Sequence, residues 1–160
     1  NFNALYDSNG KYIGGSYENI EQTKTKGVSL TSDWVINNYL LGGSYDYQQA
    51  KDDSGKANDG NFLAIRPEHK GLVYMGYRLP SLDIRAEYQY VDDYYSGTDN
   101  TDVQLVDSYG LLNISGNYQL TNNLTMTARL NNVTNKKYIT LPGYNTDGTN
   151  FFTSLTYNWF

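Results

Sequence analysis

Few residues of this 160-residue chain could do covalent chemistry. A nucleophilic triad needs a general base, yet His69 is the single histidine and cysteine is absent. The lack of cysteine removes disulfides, thiolate zinc sites and cysteine nucleophiles together. His69 lies beside Lys70 in a segment where apolar and polar residues alternate. As in a strand of a barrel, this favours a position at the lumen or the rim over a catalytic one. We therefore predict no catalytic residue and no enzyme activity.

Carboxylates could bind calcium, which prefers oxygen ligands. They occur in three groups, Asp52/Asp53/Asp59, Asp92/Asp93 and Asp99/Asp102. The segment 52–60 lacks the spacing of a calcium loop, so solvated loops are the favoured interpretation. The sequence predicts no metal site and no cofactor.

Charge and hydropathy exclude further classes. With 12 basic and 17 acidic side chains the net charge is −5, and no basic run is present, which argues against nucleic acid as a partner. The longest apolar runs, 62–65 and 72–75, are far shorter than the roughly 20 residues of a spanning helix. A mean hydropathy of −0.64 is typical of a soluble protein. It does not exclude a membrane barrel, because alternating strands average to low hydropathy in any window.

The elements that must position these residues are strands. Apolar residues recur at every second position, as in Leu82, Ile84, Ala86, Tyr88 and Tyr90, with polar residues between them. A helix would scatter these residues around its circumference, whereas a strand places them on one face. We predict eight strands, at 2–6, 17–36, 39–51, 62–79, 82–96, 106–120, 124–138 and 149–160.

Short and long connections (joints) alternate between these strands. The short joints are 37–38, 80–81 and 121–123, and the long joints are 7–16, 52–61, 96–105 and 139–148. In an up-and-down antiparallel sheet, this alternation puts all the short turns on one rim and all the long loops on the other.

Two environments fit an alternating strand. In a soluble sandwich the apolar face is a dry core, and in a membrane barrel it contacts lipid while the polar face lines a wet lumen. The length of the strands, the tyrosines at their ends and the mid-strand charges Asp33, Arg85 and Arg129 favour the barrel. A tyrosine-rich soluble sandwich stays open as the alternative.

Three stretches resemble the C-terminal part of a TonB-dependent outer-membrane receptor. They are Glu18-Asn19 with Lys24-Thr25-Lys26-Gly27-Val28, then Arg66-Pro67-Glu68-His69-Lys70, and finally Leu120 to Tyr138 with Gly143-Tyr144 and Gly148. The last strand ends in the aromatic Phe160, which resembles the assembly signal of outer-membrane barrels. Four positions depart from the family pattern: Ser29 replaces Glu, Val133 replaces Leu, Asn135 replaces Asp and Thr149 replaces Arg.

The resemblance implies an all-β, antiparallel, up-and-down transmembrane barrel of 22 strands in the bacterial outer membrane. Residues 1–160 would be its C-terminal third, and the N-terminal plug domain would lie outside this chain, which we expect to be a piece of a longer protein. The implied partners are the remaining barrel strands, the plug, TonB through the plug, and outer-membrane lipid.

The implied function is TonB-dependent uptake of a large scarce nutrient captured by extracellular loops. The spacing and the Gly143-Tyr144 loop most resemble the cobalamin-receptor branch of the family; a ferric siderophore or another metal chelate is the alternative ligand. For ligand contact we select Tyr144, which is carried over from the resemblance, and Asn145 beside it in the last loop. We select Asp99 and Asp102 from their position in the long loop before the sixth predicted strand. The rival hypotheses are a self-contained eight-stranded structural or adhesion barrel and a barrel-embedded hydrolase.

Overall fold

The computed structural model describes residues 2–17 and 22–159. Three features of the sequence therefore lie outside the described residues: Glu18 and Asn19 of the first motif, and the terminal Phe160. The strands are β1 (Phe2–Tyr6), β2 (Tyr12–Tyr17), β3 (Thr23–Ile36), β4 (Tyr39–Asp52), β5 (His69–Arg78), β6 (Leu82–Val91), β7 (Tyr94–Tyr95), β8 (Leu105–Val106), β9 (Tyr109–Thr121), β10 (Leu124–Asn131) and β11 (Asn150–Tyr157). One 3₁₀ turn, Asp102–Gln104, accompanies them in the described ranges, which contain no helix long and apolar enough to cross a membrane.

Seven strands form the main sheet in the order β3-β4-β5-β6-β9-β10-β11, and every neighbouring pair is antiparallel. β1 pairs with β2, and β7 with β8, in two small separate sheets. Apart from the short β7 and β8, which lie within one connection, each strand of the main sheet pairs with the next along the chain. The predicted up-and-down antiparallel topology is confirmed.

The alternation of joints is also confirmed. Short turns at 37–38, 79–81 and 122–123 alternate with long connections at 53–68, 92–108 and 132–149. Asn37 has a φ of 53°, the left-handed conformation that a two-residue hairpin turn requires. All short turns therefore lie on one rim of the sheet and all long loops on the other.

Several predicted strand ends are wrong. The segment 62–79 becomes a strand only at His69, and the segment 124–138 stops at Asn131. In the segment 17–36, Tyr17 ends β2 and the long strand begins at Thr23, while residues 18–21 lie outside the described ranges. Ile65 and Asn132 have positive φ values of 57° and 49°, which interrupt an extended backbone. The segment 82–96 is divided at Val91, and the predicted loop 7–16 contains most of β2.

One face of the main sheet is apolar in every strand. A single row of cross-strand partners joins Trp34, Leu41, Met75, Ala86, Ile114, Leu130 and Phe151. Nothing in the described part of the chain covers this face, since Trp34, Met75 and Phe151 are 62%, 59% and 64% exposed. A soluble sandwich would bury these side chains beneath a second sheet, so the exposed face favours contact with lipid.

The apolar band descends from one edge of the sheet to the other. On β3 the band runs from Val28 to Ile36, and on β11 it runs from Phe151 to Tyr157. Phe151 is in the row of Trp34, so the band on β11 begins six residues further toward the short turns than the band on β3. A drift of about four to six residues over six strand spacings corresponds to a tilt of about 25–35° between the strands and the normal of the band. Strands of membrane barrels tilt in a similar way.

The sheet is not closed. Among the described residues, β3 pairs only with β4 and β11 only with β10, so two edges stay open. A self-contained eight-stranded barrel would join these edges. The eighth strand predicted from the sequence, 2–6, instead pairs with β2.

Candidate ligand-capture rim

The rim of long loops holds the main buried core of the described residues. Val106 is fully buried, and Val91 and Tyr94 are each 7% exposed. The Tyr94 hydroxyl donates a 2.7 Å hydrogen bond to the Thr140 carbonyl, which ties the β6–β9 connection to the β10–β11 loop. Burial raises the pKa of the Tyr94 phenol above its ordinary value of 10.0. The rim is thus a packed structure rather than a set of independent loops.

A second tie joins the β4–β5 and β6–β9 connections. The Phe62 amide donates to Asn100 Oδ1 at 2.6 Å, and Asn100 Nδ2 donates back to the Phe62 carbonyl at 3.0 Å. Asn100 has a φ of 51°, which an asparagine adopts more readily than most residues. Asn61 Nδ2 adds a 3.0 Å bond to the Thr98 carbonyl. These bonds fix the backbone next to Asp99.

The β10–β11 loop is organised around Asn132, which is 3% exposed. Its Oδ1 accepts from the Lys136 amide at 2.8 Å, and its Nδ2 donates to the Lys136 carbonyl at 2.9 Å. Asn135 Oδ1 accepts from the Thr149 amide at 3.2 Å, and the Thr149 hydroxyl donates to the Asn132 carbonyl at 2.8 Å. The asparagines of the third motif therefore shape this loop.

An open cleft of about 660 Å³ lies between the two connections that Tyr94 joins. Asp107 and Ser108 form one side, and residues 135–139 and 145–148 form the other. The lining includes two lysines, Lys136 and Lys137, and a second aspartate, Asp147, so its formal charge is balanced. Its size lies within the range of small-ligand sites, which span about 300–1,000 Å³.

The structure separates the two residues selected from the last loop. Asn145 lines the cleft, whereas Tyr144 is 66% exposed on the loop surface. The Tyr144 amide donates a 3.1 Å bond to the Leu141 carbonyl, closing a turn in which Gly143 has a φ of 85°. That conformation favours glycine, and it leaves the Tyr144 ring on the outside of the turn.

The two selected aspartates lie in the β6–β9 connection, where it meets the β4–β5 connection. Asp99 accepts from Asn58 Nδ2 at 3.4 Å and from Gln104 Nε2 at 3.5 Å, both long bonds. Asp102 begins the exposed 3₁₀ turn. In the described part of the rim no hydrogen bond joins either aspartate to Tyr144 or Asn145, so the four residues form two separate patches.

Sequence reasoning did not select the residues that hold the rim together. Tyr94 and Asn132 were assigned to the predicted strands 82–96 and 124–138, and Asn100 to the predicted loop 96–105, with no role given to any of them. The one usable signal was the repeated asparagine of the third motif, because asparagine bonds to nearby backbone and tolerates positive φ. His69 was expected at the lumen or the rim; it lies at the rim, on the outer face with Tyr47.

The inner face of the sheet carries the mid-strand charges, as predicted. The Tyr74 hydroxyl donates to Asp33, and the Arg85 guanidinium lies 3.6 Å above the centre of the Tyr74 ring. Arg85 also forms a 2.9 Å ion pair with Glu87. Arg85 Nε is buried and has no hydrogen-bond partner within the described chain. This face is therefore polar and still has an unused donor.

Comparison with known proteins gives a consistent picture. The family model described as TonB dependent receptor-like, beta-barrel, matches residues 3–133. A vitamin B12 transporter of Vibrio cholerae is 30% identical over 133 residues, which cover 81% of this chain and 21% of the relative. One from Photobacterium profundum is 25% identical over 141 residues, covering 88% and 22%. The chain thus spans about a fifth of the length of these relatives.

Solved structures show the same fold. An unliganded ferric citrate transporter matches with a TM-score of 0.77 and 14% identity, covering 84% of this chain and 24% of its own. The ferric yersiniabactin uptake receptor of Yersinia pestis matches with a TM-score of 0.67 and 16% identity, covering 82% and 22%. At such identities the likeness concerns the fold alone.

Proposed function

The chain belongs to the family of TonB-dependent receptor β-barrels, and on that premise we propose that it forms part of the wall and rim of an uptake receptor in the bacterial outer membrane. The observation that carries this proposal is the continuous apolar face. It crosses all seven strands of the main sheet and stays exposed in each. Lipid is the environment in which such a face is stable, and the packed long loops then lie outside the cell.

The open edges support a larger barrel. Unpaired strand edges do not occur in the hydrocarbon region, so β3 and β11 require neighbouring strands there. We propose that residues 1–160 are the C-terminal part of a barrel whose remaining strands pair with these edges. A plug domain inside the lumen would face the polar side of the sheet and would give Arg85 Nε an acceptor. TonB would act on that plug.

Cobalamin is the ligand we propose. The relatives named above are vitamin B12 transporters, and their similarity extends over most of this chain. Tyr144 offers an exposed aromatic face, and Asn145 offers an amide at the edge of the cleft. Asp99 and Asp102 would contact the ligand from the β6–β9 connection, outside the cleft. The cleft is small enough to hold only part of a large ligand, so loops of the remaining barrel would complete the site.

The test is titration of the complete purified receptor with cyanocobalamin, ferric citrate and a ferric catecholate by calorimetry. We expect saturable binding of cyanocobalamin and uptake in cells that stops when TonB is absent. Binding of an iron chelate with no response to cyanocobalamin would keep the receptor and replace its ligand. A receptor that remains monodisperse in buffer without detergent would refute the membrane assignment itself.

A further inference from the structure

Three lysines lie together on the outer face near the long-loop rim, although the sequence has no basic run. Lys24 is the direct cross-strand partner of Lys51, and Lys26 is the partner of Gln49. The β3–β4 ladder continues through 14 residue pairs without a register shift. Because side chains alternate along a strand, Lys24 and Lys26 share the face of Val28 and Leu30. We call Lys24, Lys26 and Lys51 the outer lysine cluster.

The cluster lies directly above an aromatic belt. Tyr47 lies on the same face as Gln49, two residues nearer the short turns, and its ring lies 5.2 Å from the His69 ring. The Tyr45 hydroxyl, one row lower, is 2.7 Å from His69 Nδ1. Tyrosines of this kind mark the boundary between hydrocarbon and headgroups.

The height of the lysines follows from strand geometry. They lie two and four residues beyond the Val28–Tyr47 pair, which ends the apolar band on these strands. At about 3.4 Å per residue and a tilt of about 25–35°, this places them roughly 6–12 Å above the hydrocarbon boundary. Long lysine stems reach further toward the water. That height is the headgroup layer on the side of the long loops.

Among the described residues, no ion pair balances the positive charges of the cluster. Like charges directly opposite each other destabilise a ladder, and Lys24 and Lys51 are such a pair. In the part of the chain that the structure describes, no carboxylate forms an ion pair with any of the three. Glu68, which borders the patch, accepts a 3.1 Å bond from Gln49 Nε2. Lys51 Nζ lies 4.6 Å from the centre of the Phe62 ring.

We propose that the outer lysine cluster binds the phosphate groups of lipid headgroups in the outer leaflet. Three ammonium groups, each with three donors, suit a phosphate-bearing headgroup, and such a headgroup relieves the repulsion between Lys24 and Lys51. The chain as a whole is acidic, with a net charge of −5, so this patch is a local reversal of sign. The proposal rests on the membrane orientation given under the proposed function.

The experiment compares the complete receptor with two triple variants of equal charge. The test variant carries Lys24→Gln, Lys26→Gln and Lys51→Gln. The control carries Lys11→Gln, Lys56→Gln and Lys70→Gln, which lie in two loops and on the inner face. Each protein in detergent micelles is titrated with bisphosphorylated lipid A, with its monophosphoryl form and with phosphatidylcholine. Heat-modifiable electrophoretic mobility shows that each variant is folded.

We expect the test variant to bind bisphosphorylated lipid A more weakly by on the order of a hundredfold, or roughly fivefold per lysine, at low salt. The control variant should bind it as the wild type does, and phosphatidylcholine should bind weakly to all three proteins. Equal lipid A affinity in the test variant and the wild type would overturn the proposal. So would competition by millimolar inorganic phosphate together with indifference to lipid, which would make the cluster a general phosphate site.

Failure of this inference differs from failure of the proposed function. A wild-type receptor that inserts into vesicles, folds and binds its ligand, yet does not distinguish phosphorylated from zwitterionic lipid, refutes only the lysine cluster. A receptor that does not enter a bilayer at all refutes the membrane orientation on which both proposals depend.

Discussion

Replacement of Met75 by arginine tests the assignment of the apolar face to lipid. Met75 lies in an apolar row of cross-strand partners that crosses all seven strands, between Leu41 on β4 and Ala86 on β6. Its side chain is 59% exposed and contributes little to packing within the protein. In water the substitution Met75→Arg would therefore be nearly neutral. In a bilayer it would place a charge near the middle of the hydrocarbon.

The expected cost follows from depth. On β5 the apolar band runs from Val73 to Tyr77, so Met75 is at its centre. An arginine on the lipid face costs about 2–4 kcal/mol at the bilayer midplane and about 0–1 kcal/mol near the interfaces. Met75→Arg should therefore destabilise the receptor in vesicles by about 2–4 kcal/mol. Gln89→Arg is the matched control, because Gln89 is exposed on the inner face of β6, where water can hydrate the charge.

The assay is equilibrium unfolding of the complete receptor in phospholipid vesicles by denaturant, followed by tryptophan fluorescence. Met75→Arg should lower the midpoint in vesicles but much less in detergent micelles, where the environment adapts to the charge. Gln89→Arg should leave both midpoints close to the wild type. Equal effects of the two substitutions would show that the sheet does not separate lipid from lumen, and a larger effect of Gln89→Arg would reverse the two faces.

Three further predictions concern the rim. Asn132→Ala leaves the amide and the carbonyl of Lys136 without hydrogen-bond partners, which costs about 1–3 kcal/mol for each group, so hydrogen exchange in the β10–β11 loop should accelerate. Asn135→Asp is the control, because it retains the oxygen that accepts from the Thr149 amide and should leave the exchange rate unchanged. Tyr94→Phe removes the bond to Thr140, about 0.5–1.5 kcal/mol, and should increase the mobility of a spin label at Asn145→Cys. Burial raises the pKa of Tyr94, so the neutral phenol stabilises the loop below pH 10.0, and this stabilisation is lost as the pH rises through the raised pKa. The mobility of the spin label should therefore increase above pH 10.0 in the protein that has Tyr94. It should not increase in the variant with Tyr94→Phe. Tyr144→Ala should weaken ligand binding by about two- to twelvefold in calorimetry, since an exposed aromatic contact contributes about 0.5–1.5 kcal/mol. An unchanged affinity would make Tyr144 a turn residue only.

The sequence was sufficient to predict which residues share a face of the sheet and which connections share a rim. A two-residue period has only two phases, so each alternating segment assigns its own inner and outer residues without any knowledge of the neighbours. Trp34 and Ala86 could therefore both be placed on the apolar side before any pairing was known. Their membership of one row could not, because that depends on the lengths of the connections between β3 and β6.

The strand ends and the rim needed the structure. Residues 62–65 are apolar and look like strand, but Ile65 adopts a positive φ and the chain turns there to meet Tyr95. A β-branched residue is a poor indicator of such a conformation, so composition misled the prediction. Likewise, Asn100 forms hydrogen bonds with the peptide groups of Phe62, and Asn132 with those of Lys136. The residues around each asparagine in the sequence do not identify these partners.

The low hydropathy of the chain and its membrane-facing sheet have the same physical origin. A single-layer sheet divides its residues equally between two environments, so every apolar outer residue is matched by a polar inner one and the average stays low. Such a sheet has little core of its own: β3 is exposed along all its 14 residues, and the closely packed trio Val91, Tyr94 and Val106 lies at the loop rim. An exposed apolar face and two open edges in water would promote aggregation. The fold therefore requires lipid on one face, a hydrated lumen on the other and neighbouring strands at both edges, and these are the conditions that a larger membrane barrel provides.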